Sequence, residues 1–322
     1  MLRSLKDLEN YAIGAIDGHI GHVKDFYFDD ERWGVRYLIV ETGDWLSSRK
    51  VLISPFSVHK PNWAEKILPV SISQQQVRNS PDTDTQKPVS RQFEEEFLGY
   101  YGYPSYWGGS GLWGEGYYPS LIGATDSGDK SERAEIDRAH ANAEKEKHRN
   151  DDPHLRSCKA VIGYDVHATD GNIGHVKDML VDEETWAIRY LVVDTSNWWM
   201  GHTVLIAPPW IKDVRWTTRT VSVHMTRELV KTAPTFVSTD ELNRLDEISL
   251  HRHYGRDGYW TEEAHRVTAC PPSTAWSLLL RAMVSVTLAL SLFRSIDPCI
   301  CPMEMLVCST PDACSLAAWD RD

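Results

Sequence analysis

Asp17-Gly18-His19-Ile20-Gly21-His22-Val23-Lys24-Asp25 returns as Asp170-Gly171-Asn172-Ile173-Gly174-His175-Val176-Lys177-Asp178, an offset of 153 residues (170 − 17). The offset holds well beyond this stretch. Trp33 matches Trp186, Arg36-Tyr37-Leu38 matches Arg189-Tyr190-Leu191, Trp45 matches Trp198, and Val51-Leu52-Ile53 matches Val204-Leu205-Ile206. It still pairs Glu94 with Glu247, Tyr101-Gly102 with Tyr254-Gly255, and Tyr106-Trp107 with Tyr259-Trp260. Residues 17–107 and 170–260 therefore align without a gap, and the chain carries an internal duplication.

Each copy reads as short strands joined by compact turns. In the first, Tyr11–Gly14, Ile20–Phe28, Val35–Glu41, Lys50–Ile53 and Ile67–Ile72 have strand composition. Asp17-Gly18 and Gly43-Asp44 are turn signals, since glycine takes positive φ without a steric cost. Val35–Glu41 is apolar on both faces, as in a small closed barrel. Residues 71–77 read as a helical turn before Pro81. In the second copy, Cys158–Val161 opens the unit, Ile173–Val181, Ala187–Asp194 and Thr203–Ile206 repeat the strands, and Val214–Met225 supplies the late hairpin strands. Ser238 with Glu241 three residues later reads as a capping box, predicting a helix from 238 that ends before Gly255.

The G-x-I-G-H-V-K-D, W-x-[VI]-R-Y-L-[IV]-V and V-L-I-x-P strands resemble the PRC-barrel family, over roughly residues 10–75 and 160–230. That family takes its name from the cytoplasmic domain of the H subunit of the purple-bacterial photosynthetic reaction centre, and a related barrel occurs in a ribosome-maturation factor. The resemblance implies a mainly β fold: two small PRC-type β-barrels in tandem, joined by a long polar and aromatic linker, with short helices after each barrel. The expected divisions are barrel 1 at 1–78, linker at 79–155, barrel 2 at 156–236, a helix with a Tyr/Trp strap at 237–268, and a distinct tail at 269–322.

Composition narrows the function. The 322 residues carry a formal charge of −12, and an acidic chain repels nucleic-acid phosphates. The N-terminus lacks the apolar run of a signal peptide. Cys158 is the only cysteine before residue 270, which suits a reducing cytoplasm. No nucleophile elbow, dinucleotide fingerprint or phosphate-cradling loop is present. The Gly108–Gly111 run has no following lysine. The chain reads as a non-enzyme without cofactor or metal.

The candidate partner-binding residues are Trp45, Trp198, Trp199, Tyr106, Trp107, Tyr259 and Trp260. Exposed Trp and Tyr are common interface anchors. The alternative is that the aromatic run from Tyr100 packs on its own barrel, and that the Trp residues at 45, 198 and 199 cap theirs. Gly18, Gly21, His22, Asp25, Arg36, Gly171, Gly174, His175, Asp178 and Arg189 recur in register and read as structural. His22 and His175 could carry protons near neutrality, but no ligand cluster stands beside them. Asp17 and Asp170 read as turn residues. Arg36 and Arg189 are expected to pair with a neighbouring carboxylate such as Asp25 or Asp178, the alternative being a ligand-binding role.

Residues 124–152 read as solvated linker. Five of the six cysteines fall in 270–314, in a tail unlike the body. Thr274–Phe293 is nearly all apolar, but a central Arg281 costs about 2.5–3.5 kcal/mol on insertion. Three readings of this tail stay open: a membrane anchor, a loose extension, or a shifted reading frame. The sequence thus points to a binding or assembly module for a protein partner, in the cytoplasm or at the cytoplasmic membrane surface. Homo-oligomerisation is open, and nucleic acid is disfavoured. An H-subunit-like accessory in light-driven electron and proton transfer is the first alternative. An RNA-processing factor is the second.

Overall fold

The structure is a computed structural model that describes residues 1–81, 89–107, 109, 111–114, 116, 118–119, 154–195 and 202–261. The chain divides into two units at Asp257/Gly258, and the elements described below lie in the first. The first half contains β1 (Leu2–Ser4), α1 (Leu5–Leu8), β2 (Ala12–Ala15), β3 (Gly18–Asp29), β4 (Val35–Thr42), β5 (Lys50–Ile53), β6 (Ile67–Pro69), α2 (Gln74–Arg78) and α3 (Arg91–Tyr101). The second contains β7 (Leu155–Ser157), α4 (Cys158–Val161), β8 (Asp165–Ala168), β9 (Gly171–Asp182), β10 (Ile188–Asp194), β11 (Thr203–Ile206), β12 (Ile211–Arg215), β13 (Thr220–Val223), α5 (Arg227–Lys231) and α6 (Arg244–His253).

The fold is mainly β, with two sheets. One runs β5-β4-β3-β2-β6, and the other β11-β10-β9-β8-β13-β12. The ends of the second path, β11 and β12, are consecutive in sequence and meet at the 3-10 turn Pro208–Trp210. In the first, Pro55–Ser57 makes the same corner and brings the His59 N–H onto the Pro69 carbonyl at 2.9 Å. Each sheet thereby curls back on itself. Its interior is apolar: Ile13, Ile20, Val23, Phe26, Leu38 and Val40 are buried in the first, and Val166, Ile173, Val176, Met179, Leu191 and Val193 in the second. Each fully buried side chain of this kind contributes about 1.5–3 kcal/mol.

The close approach of neighbouring strands explains one duplicated glycine. A Cβ at Gly21 would run into the Glu41 carbonyl oxygen, and one at Gly174 into that of Asp194. Gly174 also has a φ of +131°, which suits glycine alone.

Both faces of β4 are buried, and the outer one is covered by α3. Phe97 packs edge-on against Tyr37 at 5.2 Å. The polar appearance of residues 78–98 conceals this helix, which Ser90 caps by accepting from the Phe93 N–H. The helix expected from Ser238 instead starts later, at the capping box of Asn243 and Asp246, and ends at His253. Asn243 can accept from two backbone N–H groups there, those of Leu245 and Asp246.

The two halves exchange their first segments. β1 pairs with β9, in register Leu2↔Asp182, Arg3↔Val181, Ser4↔Leu180. β7 pairs with β3, in register Leu155↔Asp29, Arg156↔Phe28, Ser157↔Tyr27. The registers coincide at the sequence offset, so a pseudo-two-fold axis relates the halves. At that axis the Val35 N–H donates to the Trp186 carbonyl at 2.9 Å, and the Ile188 N–H to the Trp33 carbonyl at 2.7 Å. Trp33 and Trp186 hold φ of +56° and +59°, uncommon for such side chains. Residues 2–8 lie on the second barrel's long strand, and residues 155–161 on the first barrel's.

Candidate functional site

The seam between the barrels is built from one duplicated lead-in. Leu-Arg-Ser occurs at 2–4 and at 155–157. In each copy the serine caps the short helix that follows: Ser4 accepts from the Asp7 N–H, and Ser157 from the Ala160 N–H. The same hydroxyls donate across the seam, Ser4 to Asp178 Oδ2 and Ser157 to Asp25 Oδ2, each at 2.5 Å. The other carboxylate oxygens accept backbone N–H groups. Asp25 Oδ1 takes Lys159 at 3.0 Å and Phe26 at 2.7 Å. Asp178 Oδ1 takes Lys6 at 3.3 Å and Met179 at 2.7 Å. Burial raises the pKa of both carboxyls, and the serine and backbone donors pull partly against it. Cys158 lies between them. Burial, then the two acidic groups, hold its thiol far above its usual range, so it behaves as an inert core group.

The arginines add a second tie. Arg3 Nε reaches Glu183 Oε2 at 3.1 Å and its guanidinium lies 4.1 Å over Trp63. Arg156 Nε reaches Asp30 Oδ2 at 2.9 Å and lies 4.3 Å over Trp216. Each arginine thus stacks on its own half and pairs with the other. Lys159 Nζ meets Glu9 Oε2 at 3.2 Å. Nothing in strand periodicity points to these residues. The signal that could find them is the recurrence of Leu-Arg-Ser at the offset of the long strands.

A buried carboxylate sits behind β4 and recurs behind β10. Glu94 is fully buried and accepts from Tyr37 Oη at 3.2 Å, Tyr106 Oη at 2.5 Å and Arg91 Nη1 at 3.2 Å. His154 Nε2 lies 2.8 Å from its other oxygen, which it shares with Arg91. Burial, then Glu94, pushes the Tyr37 and Tyr106 phenols far up. Burial works to lower Arg91, and the Tyr106 and Glu94 neighbours outweigh it and leave it raised. In the second copy, Glu247 accepts from Tyr190 Oη at 3.1 Å and pairs with Arg244 Nη1 at 2.9 Å. The His251 ring completes this cluster, 2.9 Å from Tyr190 Oη. Burial lowers the His251 pKa.

Arg36 does pair with a neighbouring carboxylate, but it is Asp29, with Nε at 2.6 Å from Oδ2, rather than Asp25. Asp25 is already engaged by the other half's lead-in. The Arg36 guanidinium lies 4.1 Å over Tyr106 and 4.6 Å over Trp113. Trp113 in turn donates its indole N–H to the Thr185 carbonyl at 2.8 Å, which ties the aromatic run to the second barrel. Arg189 likewise turns to Thr185 Oγ1, at 3.4 Å, while Asp178 holds Ser4.

The aromatic candidates separate. Tyr106 and Trp107 are 3% and 7% exposed, too buried to offer a partner their faces, and Arg91 stacks 4.2 Å over Trp107. Trp45 is half-buried, donates to the Ile20 carbonyl at 2.7 Å and has Arg78 5.8 Å over its ring. Tyr259 and Trp260 are half-buried and pack edge-on at 5.1 Å. Trp198 and Trp199 lie outside the described residues, as does the tail from 262. His22 is exposed and His175 half-exposed on the long strands. Gly18 and Gly171 start those strands with φ of +150° and +144°. Asp17 and Asp170 do more than turn the chain: each accepts the first N–H of the helix after its barrel, from Gln74 and Arg227, at 2.8 Å. Among the described residues, no group of three or more His, Cys, Asp or Glu side chains is placed to hold a metal ion. No helix among them is long and apolar enough to cross a membrane.

Residues 3–67 and 154–229 match the family model described as the PRC-barrel domain. No curated protein matches the chain. The chain carries two PRC-barrel domains in tandem, and each match takes in the lead-in segment that crosses to the other barrel.

Proposed function

We propose that this tandem pair of PRC-barrel domains is a non-enzymatic binding and assembly module. It engages a protein partner, and its place of work is the cytoplasm or the cytoplasmic membrane surface. PRC-barrel domains are in general binding modules, and a fold alone does not fix function. The observation that carries the reading is the reciprocal exchange of β1 and β7. It joins the barrels into one pseudo-two-fold body, which suits presenting two similar outer faces at a set spacing. The conspicuous titratable groups, Glu94, Glu247, Asp25 and Asp178, are spent on holding that body together. Trp45, half-buried on the outside of the first barrel, is the leading contact residue. The photosynthetic and RNA-processing readings rest on the resemblance alone.

The test is a full-length bait in extract of the native host, followed by reconstitution with the purified captured protein. A stoichiometric complex weakened tenfold or more by Trp45→Ala supports the reading. Failure to reconstitute with any captured protein, or turnover of a substrate by the purified chain, overturns it. Fractionation with intact-mass measurement addresses location. Full-mass protein in a salt-washed membrane pellet would make 274–293 an anchor.

A further inference from the structure

The seam contacts are isologous in character. Each half gives the other a strand, a serine hydroxyl and an arginine, and takes the same three in return. The chain nevertheless contains two different barrels, so the same seam could form between like barrels of two copies. The offset of 153 says what such a seam would contain. For barrel 1 against a second barrel 1, Ser157–Asp25 becomes Ser4–Asp25 and Arg156–Asp30 becomes Arg3–Asp30. Lys159–Glu9 becomes Lys6–Glu9. The backbone bonds at the axis become Val35 N–H to the Trp33 carbonyl, made twice, and depend on no side chain. These three side-chain ties keep their chemistry, while His154, which meets Glu94 across the seam, is replaced by Met1 and its tie is lost. Barrel 2 against itself loses the lysine tie, because position 162, which would replace Glu9, is Ile162.

We propose that barrel 1 is a self-complementary surface through which the chain pairs with a second copy of itself. The lead-in of one copy, Leu2–Leu8, lies along β3 of the other. Isologous pairing of this kind closes into a dimer rather than a filament. Within one chain, barrel 2 competes for the same surface at the effective concentration that covalent linkage sets, of about millimolar order. Pairing between copies therefore grows as the chain folds at concentrations approaching that value.

The test uses the full chain carrying Arg3→Cys and Asp30→Cys. Within one copy these positions face Glu183 and Arg156 and do not meet. They meet only when barrel 1 pairs with barrel 1. The ion pairs removed are partly exposed and worth little. Isotope-labelled and unlabelled chains are unfolded together and refolded at micromolar and at millimolar concentration. They are then treated with a short bis-maleimide and mapped by peptide mass spectrometry. The control is Arg3→Cys with Glu183→Cys, which cross-links within one copy and shows that the reagent reaches the seam. The expected result is a labelled–unlabelled cross-link between positions 3 and 30, enriched tenfold or more in the millimolar refold. If the control links and no 3–30 cross-link joins two copies, the proposal is wrong. A labelled–unlabelled cross-link between positions 3 and 183 in the control chain, with no 3–30 cross-link between copies of the test chain, overturns it equally, because that is exchange between unlike barrels.

Discussion

Asp25→Ala and Asp25→Asn separate what the seam carboxylate does by shape from what it does by charge. In the native chain Asp25 accepts from Ser157 Oγ, the Lys159 N–H and the Phe26 N–H. Alanine removes both acceptor oxygens and with them all three hydrogen bonds. A hydrogen bond to a charged acceptor is worth about 1.5–3 kcal/mol. The Lys159 N–H is exposed and can turn to water. The ionised carboxylate also carries a burial penalty, which its raised pKa reports. Alanine should therefore cost a net ~1–2 kcal/mol. Asparagine keeps the carbonyl for the two N–H groups and can donate to Ser157 Oγ, so it should cost under ~1 kcal/mol at neutral pH. The pair Asp25→Ala with Asp178→Ala should lose about the sum. Urea unfolding of the full chain, followed by tryptophan fluorescence, measures each.

The pH dependence fixes the sign. The folded-state pKa lies above the unfolded value of 3.8 at both sites. The folded state thus binds the proton more tightly, and lowering the pH favours folding. The gain of wild type over the double asparagine variant should grow as pH falls through the raised values, and level off below 3.8. A gain that shrinks over that window would mean the clamps need their charge, and would refute the reasoning.

Glu94→Ala strands Arg91 and two phenols in the core and should cost about 3–5 kcal/mol in the same unfolding assay; a loss under ~1 kcal/mol would mean that α3 does not depend on this cluster. Gly21→Ala should destabilise more than an alanine at the open Gly43, because only the former meets a neighbouring carbonyl; equal melting temperatures would disprove the close approach. In a spectrophotometric titration, Tyr103, pushed up to about 12 by burial, should stay protonated at the pH where free tyrosine titrates. Tyr37 and Tyr106 should ionise only on unfolding. Cutting an engineered protease site within 120–153 should leave two fragments that co-elute on size exclusion, held by β1 and β7; separation without denaturant would count against the exchanged seam.

The duplication and the strand series were legible because period-2 patterns and identical residues survive in a linear reading. The long strand with His22, its partner with Arg36 and the turn at Asp17 all stand where those patterns put them. The misses have physical causes. α3 hid because its buried face holds Glu94 and Arg91 as well as Phe97 and Leu98, so its apolar stripe is weak. Its register with α6 was nonetheless present, in the offset that pairs Glu94 with Glu247. Arg36 took Asp29 rather than Asp25 because Asp25 belongs to the seam. That choice depends on a strand 130 residues away in sequence, which periodicity does not encode.

The seam also constrains what the module can do. A repeat that lends its first strand to its neighbour cannot open without exposing two β edges and two carboxylates at once. The four ties from Ser4, Ser157, Arg3 and Arg156 are arranged in pairs about the axis. Losing one half's ties removes the geometric reason for the other's. The barrels should therefore unfold together, although their cores are separate and their sheets share no continuous path. Binding at Trp45 on barrel 1 would accordingly stabilise barrel 2 by the same free energy, through the seam. A partner that raised the unfolding midpoint of barrel 1 alone would show that the seam transmits nothing, and that the barrels act as beads on a string.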